Sequence, residues 1–441
     1  MLLVGNGTVL SFDESMTILS SGCVAIDQGV IVSVGPTKPL MERYPRAEFI
    51  DARGRLILPG FINVHHHIYS AFARGMNLNT PPAKDFLAVL EGLWWRLDKA
   101  LTLEDITYSA YVTLLDCIRN GVTTIFDHHA SPNAAKGSLH AIGEVADALG
   151  LRASLALEVS DRDGEAVANA LIDENLSWLS ACRKRDGDRL AGLFGLHASF
   201  TLSDRTLARC AERIDPRDGY HLHVAEGALD ARDAMDNHRL QVLERLDRFS
   251  ILRPNTIAVH CISVTDEGID LLRARGTSVA HNPQSNMNNA VGCARVLRMA
   301  GKGVRVGIGT DGYTSDVLES YKVAPILQRH EAKDPSVGFT ETAQMLLGGN
   351  AAIAAKSFPR PLGVLREGAC GDVVIVDYDP PTPLTADNQI GHILFGLTGR
   401  MVDTTIVAGR VLMRERQIQT VDSQAVTAKA RETAKRLWAR V

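Results

Sequence analysis

Three histidines stand in a row in FINVHHHIYS, residues 61–70. The apolar run that opens after Pro59-Gly60 reads as a strand through His67, and alternate residues of a strand share a face. His65 and His67 then point one way and His66 the other. Two imidazoles on one face can flank a cation, or they can be an ordinary surface or core-edge pair; this stretch alone leaves both open. Further along, HLHVAE (221–226) places His223 at a strand end with Glu226 just beyond it, TIAVH ends on His260, and GTDG (309–312) sets Asp311 in a glycine-flanked turn. Three imidazoles and a carboxylate suit a borderline divalent cation such as zinc or ferrous iron. Glu226 falls within reach of a metal-bound water. Asp311 can bind the cation and accept a proton from that water.

Such residues act together only if the fold gathers them. Strand-like segments end near His67, His128, Glu158, His197, His223, His260, His281 and Gly309, and helical patterns such as SLHAIGEVADALG, closed by Gly150, fill the intervals. Eight such repeats predict a (β/α)8 TIM-type barrel with the C-terminal strand ends at one mouth. Six of the eight ends are histidines, which points to a site at that mouth. The first interval is the longest and holds NLNTPPAKDFLAVLEGLWWRLDKALT, either a pocket wall or lid, or a packed surface excursion. Short alternating apolar stretches occupy the first 56 residues and return in GACGDVVIVDYD and MVDTTIVAGRVLMRERQ. Neither end can bury a core alone, so residues 1–56 and 362–441 are expected to form one composite β-sandwich domain beside a barrel domain of 57–361.

The chain has 441 residues, 45% hydrophobic and 22% charged, with net charge −4 and no block of like charge. That argues against nucleic-acid and membrane partners. No basic leader region and no apolar run of roughly 18 residues is present. The seven cysteines are scattered and never spaced as CxxC, reading as reduced thiols of a cytoplasmic protein. GIGTDG (307–312) formally matches GxGxxG, but it falls at the eighth strand with no long helix and acidic partner behind it. HExxH, GxSxG and the PCxxC pattern of another class of zinc deaminase are absent.

PGFINVHHH, HLHVAE, VHC, HNPQSN and GTDG, in this order, resemble the amidohydrolase superfamily, in its branch of cytosine, guanine and S-adenosylhomocysteine deaminases and triazine hydrolases. LWWRLDKAL, DHHASP, SNMNN and PTPLTADNQIGHILFG look like signatures of the SsnA subgroup of aminohydrolases. The resemblance implies His65, His67, His223 and Asp311 as ligands of one divalent metal ion, zinc foremost and ferrous iron as the alternative. It implies Glu226 as proton shuttle, His260 as the residue orienting the attacking hydroxide, and Asp311 as a partner in catalysis. A single metal is expected because AGLFGLHASF has no lysine where two-metal relatives carry a modified one; His197 stands there as a substrate contact. Asp98, His128, His281 and Asn286 are further substrate-binding candidates, each against a structural alternative. The implied reaction is hydrolysis of a C–N bond in a small nitrogen-heterocyclic compound, deamination first. The alternatives are ring-opening cyclic-amide hydrolysis in purine-type catabolism and, from another class, a non-catalytic metal-binding scaffold. A homodimer is the family's expectation.

Overall fold

A computed structural model describes residues 1–78, 81–185 and 187–441. Eight parallel strands form its centre: β1 (Phe61–His66), β2 (Val122–His129), β3 (Arg152–Leu157), β4 (Phe194–Ala198), β5 (Tyr220–Val224), β6 (Ile257–His260), β7 (Ser278–His281) and β8 (Val306–Ile308). Every residue of these strands is buried, as expected where helices cover one face of a parallel sheet and the other faces the barrel interior. β1, β2 and β3 pair in order, and β4 to β8 pair in order.

Two seams close the ring. Beyond β3, Val159 donates to the Gly195 carbonyl at 3.2 Å and accepts from His197 N at 2.9 Å. A Cβ on Gly195 would lie 2.3 Å from the Leu157 carbonyl oxygen, so only glycine lets these strands approach. At the other seam, Thr310 N and Asp311 N both donate to the His65 carbonyl, at 3.0 and 3.1 Å. Asn350 stitches β1 to β8: its amide donates to Ile62 O at 2.7 Å and Ile308 O at 3.0 Å, and its oxygen accepts from Ile308 N at 2.6 Å. The chain is a (β/α)8 barrel.

Local chemistry sets the surrounding helices. Thr102 and Asp105 form a capping box that starts the helix Leu103–Arg119. Gly150, at φ 86°, ends the helix Ser138–Leu149 in left-handed backbone.

The two chain ends share one nine-stranded sheet. Its middle pairs Leu56–Pro59 with Val373–Val376 antiparallel, Ile57 opposite Ile375, so residues more than 300 apart in sequence complete each other's hydrogen bonding. The sheet encloses its own apolar cluster, with Val4, Val24 and Ile57 from one end and Ile375 and Ile406 from the other. Arg152 of β3 ties this layer to the barrel, its fully buried guanidinium reaching Asp372 at 3.4 Å and the Asp188 carbonyl at 2.6 Å. Among the described residues no helix is long and apolar enough to cross a membrane. All seven cysteines are free.

Candidate active site

The strand alternation read from FINVHHH holds in space. His65 Nδ1 meets His221 Nε2 at 2.9 Å, which leaves His65 Nε2 buried and without a hydrogen-bond partner. His67 Nδ1 donates to the His128 carbonyl at 2.5 Å, turning Nε2 inward as a lone pair. That Nε2 lies 3.2 Å from His223 Nε2 and 3.2 Å from Asp311 Oδ1, while His65 Nε2 is 3.9 Å from the same oxygen. Two buried imidazole lone pairs facing each other repel unless a proton or a cation sits between them. Donors bound at 2.0–2.1 Å around a tetrahedral cation stand about 3.3 Å apart, close to the separations of His67 Nε2 from His223 Nε2 and Asp311 Oδ1, and His65, His67 and Asp311 form one group able to hold an ion. Burial, and after it the crowding of neighbouring histidines, holds His65 and His223 well below the usual histidine pKa. Neutral imidazoles are what a cation needs.

Asp311 sits at φ 55° in the turn after β8. Its Oδ2 accepts from Ser285 Oγ at 2.7 Å and its Oδ1 from Gly312 N at 2.6 Å. Burial opposes its ionisation, yet His67, His260 and these hydrogen bonds hold the carboxyl below the ordinary range. Beside it, His260 Nδ1 donates to Asn286 Oδ1 at 2.8 Å, so Nε2 faces Glu226 Oε2 at 3.4 Å and Asp311 Oδ2 at 3.5 Å. Burial, then the Asp311 charge, pushes the Glu226 carboxyl well above its usual pKa. Ala225 at φ 48° and His260 at φ 68° also hold left-handed backbone. Such strain in non-glycine residues gathers where side chains are being aimed.

The cluster opens into a cavity of about 480 Å³, within the range of small-molecule sites. One wall is helical: Phe86, Trp94, Trp95 and Asp98 come from the insertion after β1, of which residues 79 and 80 lie outside the described residues. Asp98 accepts from Arg162 at 2.8 Å, and that guanidinium lies 4.7 Å from the Trp95 ring centroid. Glu158 and His197 line another side.

The structure therefore brings together His65, His67, His223, Glu226, His260 and Asp311, and places Asp98 and His197 on the cavity surface. Three further residues expected to touch substrate lie elsewhere. His128, His281 and Asn286 are fully buried behind the wall and do not line the cavity. The His128 ring packs 4.7 Å from both the His221 and His223 rings, with Nδ1 3.4 Å from Glu158 Oε1. Asn286 holds His260, and His281 lies deep in the barrel. Sequence reasoning missed His221, though its two-residue offset from His223 repeats the His65/His67 signal. It also missed Ser285, Asn289 and Glu158. Glu158 was visible as a strand end, but no motif marked it.

Comparison with known proteins gives a consistent pattern. The sequence model described as "Amidohydrolase family" matches residues 56–412. The 5-methylthioadenosine/S-adenosylhomocysteine deaminase of Desulforudis audaxviator is 30% identical over 431 residues, 95% of each chain. The 5'-deoxyadenosine deaminase of Methanosarcina mazei is 29% identical over 446 residues, covering 100% of this chain and 99% of that one. An adenosine deaminase from Xanthomonas campestris, solved with bound zinc, superposes with a TM-score of 0.86 at 23% identity, over 99% of this chain and 98% of that one.

Proposed function

Because the chain belongs to the amidohydrolase family, we propose that it is a metal-dependent aminohydrolase that deaminates a small nitrogen heterocycle, the adenine ring of adenosine-type nucleosides being the first class to test. The observation that carries this reading is the cluster of buried donors at the barrel mouth, in which His65 and His67 meet Asp311, His65 meets His223 and His260, and Glu226 meets His260 and Asp311. The curated deaminase relatives support the same chemistry along the full chain.

His65, His67, His223 and Asp311 would hold the cation, zinc first and ferrous iron second. When bound, it supplies Lewis acidity that brings the pKa of a coordinated water to about 7. His260 keeps its Nδ1 proton on Asn286 and so offers the Nε2 lone pair to the attacking water, fixing its direction. Glu226 takes a proton from that water and returns it to the departing nitrogen. Water adds to the sp² carbon, the C–N bond breaks, and amine plus water become the hydroxy (oxo) product plus ammonia. Trp94, Trp95 and Phe86 exclude bulk water around the ring.

The same reading assigns residues 1–56 and 362–441 to one domain and 57–361 to the other, which the sheet shared by the two chain ends supports. It also takes the protein as a cytoplasmic homodimer of the SsnA subgroup, acting on a small molecule without nucleic-acid or membrane partners. The test is metal-loaded protein assayed against adenosine-type nucleosides, free purines, pterins and pyrimidines, with ammonia measured separately from ring absorbance. Ammonia matching substrate loss is expected. Loss of ring absorbance without ammonia would replace deamination by ring opening, and no turnover with metal bound would leave the scaffold reading.

A further inference from the structure

Five carboxyl groups line the cavity: Asp98, Glu158, Glu226, Asp230 and Asp311. Four have their counterparts. Asp311 belongs to the cation cluster, and Glu226 sits against His260 with the Asn289 amide at 3.4 Å. Asp230 accepts backbone N–H bonds from Ala225 at 2.7 Å and Phe200 at 3.0 Å. Asp98 holds Arg162 at 2.8 Å. Glu158 differs: it shares a candidate cation group with His67, His128 and His223, and the Arg162 guanidinium, paired with Asp98, acts on its charge only from beyond 4.0 Å. Its nearest nitrogens are His128 Nδ1 at 3.4 Å, His67 Nδ1 at 3.6 Å and His197 Nε2 at 3.8 Å. The His67 Nδ1 proton is already committed to the His128 carbonyl. Among the described residues no lysine or arginine nitrogen lies within 4.0 Å of it. Among the described residues the one lysine or arginine that lines the cavity is Arg74, exposed and paired with Asp116.

A carboxyl whose side chain is 4% exposed, facing a ligand cavity with no strong donor, is costly to keep there unless a ligand supplies one. We propose that Glu158 is a specificity-determining residue that receives a proton-donating or cationic group of the substrate, such as an amino or ammonium substituent or a ring N–H, and sets the site against substrates carrying an anionic group. This rests on the deaminase reading for the identity of the site but is tested without turnover. Binding is measured by titration calorimetry on metal-loaded Glu226→Gln protein with 4-(aminomethyl)pyridine and pyridine-4-carboxylate, then repeated with Glu158→Gln added, and metal content is measured in both. The expected result is at least about tenfold tighter binding of the aminomethyl compound, a preference that falls to within about threefold in the double variant. Equal binding of the two probes, binding of neither, or a preference untouched by Glu158→Gln would each overturn it. So would loss of a second equivalent of metal with Glu158, because the missing partner would then be a cation. Failure of the deaminase reading shows instead as absent ammonia release.

Discussion

Glu226 and His223 stand a few residues apart, yet their loss should look different. Glu226→Gln keeps the donor set intact, so we predict unchanged metal content with kcat lowered by about 10²–10⁴-fold. His223→Ala removes one of the inward Nε2 atoms and should lose metal and activity together, read by elemental analysis. Full activity in the first, or full metal content in the second, contradicts these roles. Asn286→Ala frees the His260 ring and should lower kcat by about tenfold while KM and metal content hold; a fall in metal content instead would make Asn286 part of the ligand support. At this scale the sequence was most legible where strand alternation or a strand end decides direction, as for His65, His67, His223 and Asp311. It was least legible for His128 and His281. A ring at a strand end can turn under the mouth as readily as into it, and only packing decides.

The barrel strands, as elements, were legible because each is an apolar run ending in a polar residue, a pattern set by burial of the strand and opening of the mouth. The wall that follows β1 was not, since Phe86 to Ala100 mixes short α turns with a π turn at Leu90–Trp94 and has no clean period. Nor does periodicity reveal the seam between β1 and β8, where Asn350 joins the two backbone bonds to the His65 carbonyl. Asn350→Ala would leave Ile308 N, Ile308 O and Ile62 O without their partner. We predict a loss of about 3 kcal/mol in urea denaturation and weaker metal retention, because Asp311 hangs from that seam. An unchanged midpoint would show that the ring closes without it.

At the scale of the whole molecule, the barrel and the sheet built from both chain ends meet at buried charge. Arg152→Met leaves Asp372 buried without its guanidinium, although Ala408 N still donates to that carboxylate at 2.8 Å. The cost is expected at about 3–5 kcal/mol, seen as a lower Tm with metal still bound; no change in Tm would mean that the two layers hold without this pair. Metal also couples to folding. Saturating a site at about a thousand times its Kd adds roughly 4 kcal/mol of stability, so chelation should lower Tm reversibly, and a Tm indifferent to chelator would speak against a cation in the core. The joining of the two ends was legible from their shared β grammar, whereas the Arg152–Asp372 link was not, because a lone arginine at the start of a strand carries no signal of its partner.

The most direct measurement is anomalous diffraction at the zinc edge from crystals of the zinc-loaded protein. One strong peak is predicted within about 2.2 Å of the Nε2 atoms of His65, His67 and His223 and of a carboxylate oxygen of Asp311. An absent peak there, or the strongest peak elsewhere in the molecule, would contradict the account.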